Sequence, residues 1–124
     1  MNLVAAALIL VLAVPVGAVS FDFTGHWTGT FTSSYGRYVA PAMANFDATG
    51  PRAFRGAVTV RGTCLVKGVR KGERVRMRAK CASGDRARMR GRLDVGAQTI
   101  IGTFVTKLGK GTFALTKSPL NRVN

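Results

Sequence analysis

The chain has 124 residues, with 19 Lys and Arg against 5 Asp and Glu, a formal charge of +14, two Cys and one His. A lone histidine with two cysteines makes a poor zinc set, and the five scattered acids leave no recognisable acid–base or nucleophile pair. The length bounds the fold to one domain, and a charge of this size bears on association and solubility rather than on fold.

Leu3 to Val19 is apolar and uncharged, broken only by Pro15 and Gly17 just before the small-residue site Val16-Gly17-Ala18. The run is shorter than the roughly 20 residues of a membrane-spanning helix. It has the pattern of a secretory signal peptide, although the amino terminus carries no Lys or Arg. The expected organisation is a signal peptide over 1–18, cleaved after Ala18 or Ser20, a folded domain over 21–117 and a polar tail over 118–124. An uncleaved anchor is the alternative. Cleavage implies a secreted or periplasmic protein.

Phe21-Asp22-Phe23-Thr24-Gly25 leads into a strand over 27–32, with Trp27, Gly29 and Phe31 on one face and Thr28, Thr30 and Thr32 on the other. Tyr38 to Phe46 reads as a further strand that Pro41 makes irregular or bulged, and Ala48-Thr49-Gly50-Pro51 as a turn. Phe54, Gly56, Val58 and Val60 then alternate with Arg55, Ala57, Thr59 and Arg61. Cys64 to Val69 forms a short strand ended by Arg70-Lys71-Gly72-Glu73. Val75, Met77, Ala79 and Cys81 face inward on the next strand, and Ser83-Gly84-Asp85 turns the chain. Ala87, Met89, Gly91 and Leu93 continue that face. Ile100, Gly102 and Phe104, then Phe113 and Leu115, supply the last two apolar faces.

About eight short strands with frequent turns and no helical period predict an all-β fold, a small antiparallel up-and-down barrel. Gly-Thr-Phe recurs at 29–31, 102–104 and 111–113, so the first and last strands are alike and suited to pairing. Closure removes exposed edges. Gly29, Gly56, Gly68, Gly91 and Gly102 fall within strands, where they permit bends and close packing or leave a small cavity between them.

With Gly72-Glu73 as a two-residue type II′ turn, opposed residue numbers sum to 145 and Cys64 faces Cys81. Directly opposed residues lie about 4.5–5.5 Å apart, which suits a disulfide. An oxidising compartment favours one.

Gly25-His26-Trp27 resembles the Gly-X-Trp signature of lipocalins and avidins. The chain as a whole is similar to small secreted lipocalin-like, calycin-type bacterial barrels of unassigned function. The resemblance implies an up-and-down barrel in which Gly25 and Trp27 close one end beneath a cation of the last strand, Lys117 or Arg122. It further implies a carrier of a small apolar ligand. The chain is shorter than a typical lipocalin, and its single Trp departs from the multi-Trp cage of biotin sites.

The strongest surface feature is an arginine hairpin. Arg74, Arg76, Arg78 and Lys80 share the outer face of one strand, and Arg86, Arg88, Arg90 and Arg92 that of the next. Like charges opposed across a sheet are destabilising, so an external counter-charge is the simplest beneficiary. The arginine fork suits phosphate and carboxylate. The function expected is non-enzymatic binding of anionic lipid, polysaccharide or another polyanion. With no aromatics between the arginines, base-specific recognition of nucleic acid is not expected. The alternatives are the small apolar ligand carrier and an exported inhibitor or structural envelope protein, for which residues 33–52 are the segment long enough to project a loop. No metal or cofactor is expected.

Overall fold

In the computed structural model, which describes residues 20–34 and 38–119, the alternating segments become eight strands: β1 (Gly25–Ser33), β2 (Val39–Gly50), β3 (Ala53–Thr59), β4 (Thr63–Lys71), β5 (Arg74–Cys81), β6 (Arg86–Asp94), β7 (Thr99–Thr106) and β8 (Gly109–Lys117). Each pairs antiparallel with its sequence neighbour, and β1 pairs with β8, so the sheet is a closed up-and-down barrel. Two of the Gly-Thr-Phe copies meet at the closure, where Phe31 lies opposite Phe113. The expected signal peptide, Arg122 and most of the polar tail lie outside the described residues.

Inward positions are graded in size along the barrel. Trp27, Phe46, Phe54, Leu93, Ile100 and Leu115 fill one end, whereas Ala40, Ala79 and Ala87 line the other. The large end is closed by the segment before β1, which was expected only to lead into the first strand. Phe23 is buried and stacks on Phe54 with ring centroids 4.1 Å apart. The Trp27 indole N–H donates to the Phe23 carbonyl at 3.0 Å. Phe21 packs edge-on to Phe23 at 5.0 Å.

Pro41 does not disturb β2. The Ser33 N–H donates to the Tyr38 carbonyl at 2.8 Å, which marks 33/38 as a hydrogen-bonded pair. Alternation then makes Thr30/Pro41 a non-hydrogen-bonded pair, with the proline nitrogen turned away from β1. On its other side the ladder to β3 begins only at Met43, so no donor is missed. The register shift falls instead between Ala48 and Gly50, inside the residues read as a turn. Residues 39–50 are thus barrel wall, not a projecting loop.

The interior glycines are sites of close approach. A Cβ at Gly68 would overlap the Phe54 ring, and one at Gly102 would fall on the Arg90 carbonyl oxygen. Space that a side chain would have occupied is taken by a neighbouring ring or strand, so these two glycines leave no void.

The turn at Gly72 holds the expected register: Gly72 has φ of 62°, and Cys64 lies opposite Cys81. The two form a disulfide with Cα atoms 3.8 Å apart. The Cys81 N–H donates to Asp85 and the Ala82 N–H to Thr63, so 64/81 is a non-hydrogen-bonded pair, where strands bring Cα atoms closest.

Candidate anion-binding face and barrel mouth

The eight cations of the arginine hairpin all lie on the outer surface of β5 and β6. Arg74 faces Arg92, Arg76 faces Arg90, Arg78 faces Arg88 and Lys80 faces Arg86. The hydrogen-bonding phase makes this arrangement tighter than the sequence could say. Cys81 N–H to Asp85 at 2.8 Å and Leu93 N–H to Glu73 at 2.7 Å place the hydrogen-bonded pairs at the inward residues. All four cation pairs therefore occupy non-hydrogen-bonded positions, where opposed side chains are closest.

The charge continues sideways. Arg55, Lys67, Arg78 and Arg88 lie opposite one another across four adjacent strands. Lys71 lies opposite Arg74. Among the described residues the one ion pair is Arg92 with Glu73, at 3.1 Å and with both side chains largely exposed. The remaining seven hairpin cations have no carboxylate partner there. Exposed aliphatic side chains flank the ladder, Leu65 and Val69 on β4 and Ile101 and Val105 on β7.

The small-residue end of the barrel opens into an apolar cavity of about 220 Å³. Phe31, Val58, Met89 and Phe104 form its walls, together with Ala79, Ala87 and the disulfide. At the rim, Arg61 was expected to lie on the outer face of a strand. It stands instead in the turn after β3 with φ of 67°, and its guanidinium sits 4.0 Å over the Tyr38 ring. The place of the cavity depends on which alanines from different strands share one end, which alternation along a single strand does not specify.

At the closed end Trp27 is buried, and among the described residues no cation lies over its ring. Lys117 is opposite Trp27 in the β1–β8 ladder. Its ammonium donates to the Asp22 carbonyl at 2.8 Å and lies 5.6 Å from the Phe21 ring centroid. Thr24, through its backbone N–H and then its hydroxyl, holds the Asp22 carboxyl below its ordinary value, with Lys117 adding to the effect. His26 hydrogen-bonds Asn45 at 3.0 Å. Arg70, read as part of a turn, is in β4, points inward and is buried, with its Nε–H donating to the Gly72 carbonyl at 2.9 Å.

No family model and no curated protein sequence matches the chain. Solved structures similar in fold include a de novo designed fluorescence-activating β-barrel, at 15% identity and a TM-score of 0.63, covering 78% of this chain and 94% of that one. Another is the barrel mFAP2b bound to DFHBI, at 13% identity and a TM-score of 0.60, covering 77% and 93%. A redesigned barrel, mFAP1, also bound to DFHBI, has 13% identity, a TM-score of 0.59 and coverage of 77% and 94%. At such identities the likeness establishes the eight-stranded antiparallel barrel. These structures show the fold alone, so the resemblance carried by Gly25 and Trp27 is supported as to fold and has no support as to family.

Proposed function

We propose that this is an exported, non-enzymatic binding protein that contacts anionic surfaces or polyanions through the outer face of β5 and β6. The observation that carries the reading is the placing of four cation pairs at the closest cross-strand positions, with one carboxylate among the described residues to offset them. Such a ladder opposes folding, and an external phosphate, sulfate or carboxylate both relieves it and meets a matching set of guanidinium forks. The disulfide agrees with an oxidising compartment outside the cytosol.

The test is a titration against dextran sulfate and against acidic lipid vesicles across a salt series, with a comparison protein carrying Arg76→Gln, Arg78→Gln, Arg88→Gln and Arg90→Gln. Binding that collapses with salt and with those changes is expected. Equal behaviour of the two proteins would reduce the ladder to a solvated face.

A second reading is supported by the cavity at the open end. Its volume of about 220 Å³ and apolar lining suit a small apolar ligand, since dry apolar cavities of roughly 150 Å³ already accept a benzene-sized molecule. The designed barrels bound to DFHBI belong to the same fold. Filling the mouth with Ala87→Phe is expected to abolish uptake of a neutral aromatic dye while leaving polyanion binding unchanged.

A further inference from the structure

We infer that the β5–β6 ladder is a cradle for one single-stranded nucleic-acid backbone, held through its phosphodiesters with one phosphate at each opposed cation pair. The inference rests on the anion-binding reading above and names its partner. Residues on one face of a strand repeat about every 6.7 Å. Arg74, Arg76, Arg78 and Lys80 therefore form a file at that pitch, with Arg92, Arg90, Arg88 and Arg86 running beside it. Successive phosphates of an extended sugar–phosphate chain are separated by a similar step. Each phosphate of a strand laid along the line between the two files meets one cation from either side. Three of the four positions are Arg–Arg pairs, so both partners offer the fork that grips phosphate oxygens.

Shape favours a chain over a bilayer. The ladder occupies two adjacent strands of a closed eight-stranded barrel, so it forms a convex ridge. The exposed aliphatics that a lipid surface would bury lie on opposite flanks of that ridge, Leu65 and Val69 on β4 and Ile101 and Val105 on β7. A flat membrane meeting β5 and β6 does not reach both flanks at once. The outward positions of the two strands hold no aromatic side chain, so bases find no stacking platform and the strand is held regardless of sequence.

The protein supplies its own competitor. The Glu73 carboxylate lies 3.1 Å from Arg92 and occupies a cation at the closed-end limit of the ladder. Removing that charge frees the fourth pair.

The experiment uses the full chain with its disulfide intact and fluorescein-labelled oligothymidylates of increasing length in a salt series. Affinity is expected to rise until about four phosphates are engaged and then to level. The slope of log K against log salt should be about −3, from a factor of roughly 0.7 per phosphate on single strands. Oligothymidylate and oligoadenylate should bind alike. Glu73→Gln should bind a few-fold more tightly, and the variant with Gln at 76, 78, 88 and 90 should show about half the slope. An unchanged slope in that variant, or affinity that climbs with length without levelling, overturns the cradle. Vesicles of phosphatidylglycerol and phosphatidylcholine bound more tightly than the longest oligonucleotide would also overturn it, while leaving anion binding in place. Indifference to oligonucleotide, vesicle and dextran sulfate alike would remove both readings.

Discussion

Replacing Arg76, Arg78, Arg88 and Arg90 together by Gln is expected to raise the melting temperature at low salt. The four residues form two directly opposed pairs, 76/90 and 78/88, both at non-hydrogen-bonded positions. Opposed Cβ atoms there are about 5 Å apart, and long side chains can splay their charges to about 7 Å. Coulomb's law at that distance in a water-like dielectric gives roughly 0.6 kcal/mol per pair. In about 10 mM salt, where the screening length is near 30 Å, most of this survives. The two pairs then oppose folding by about 1 kcal/mol, which corresponds to about 4–8 °C in Tm for a domain of this size. At physiological salt the screening length falls to about 8 Å and the difference should drop to about half. At about 1 M it should vanish. Melting curves of both proteins at these three salt concentrations, followed by circular dichroism, measure it. The dependence on salt separates repulsion from lost packing of the arginine stems, because only the first is screened. A variant that melts below the parent at low salt, or a difference that does not shrink with salt, would refute the reasoning. An external counter-charge would then have no repulsion to relieve.

Three further outcomes are expected. Changing Cys64 and Cys81 to Ala opens a link spanning 17 residues and should lower stability by about 3 kcal/mol in urea unfolding; an unchanged midpoint would mean that the closed barrel already restrains the hairpin. Gly68→Ala drives a methyl into the Phe54 ring and should lower stability by about 1–3 kcal/mol through overpacking, whereas Gly50→Ala, which meets nothing within 4 Å, should stay within about 0.5 kcal/mol. The Asp22 carboxyl is held below its ordinary value of 3.8 by Thr24 and then Lys117, so its contribution is present above that value and is lost as pH falls through the lower folded-state value. Acid unfolding of Asp22→Asn should accordingly be flatter than that of the parent below about pH 4, and parallel curves would show that the carboxylate does not contribute.

The strands, their inward faces and much of the register were legible in the sequence because those signals are local. Alternation at period two needs only neighbouring residues, and it marked Val75, Met77, Leu93 and Ile100 as interior without reference to the rest of the chain. The Gly72 turn carried the register from one strand to the next, so the Cys64–Cys81 link followed from counting. The irregularity expected at Pro41 is absent because a proline's effect on a sheet depends on which side its nitrogen faces. That side is set by the phase of a ladder and by where β3 ends.

Contacts between distant parts of the chain decided the remainder. Closure sets β1 against β8, and Lys117 reaches across 95 residues of sequence to the Asp22 carbonyl. Phe21 and Phe23 become a plug only once a ring of large side chains leaves an end for them to close. The mouth cavity arises because Ala40, Ala79 and Ala87 come together from three strands. The charge of the hairpin was written in the sequence, but its geometry was not. The phase of the β5–β6 hydrogen bonds puts every cation pair at the closest cross-strand position, and that phase follows from how the Ala82–Asp85 loop is closed. Sequence determined which residues carry charge and which face they share, because side-chain direction alternates locally. Tertiary structure decided how near those charges stand, because separation across strands is a property of pairing.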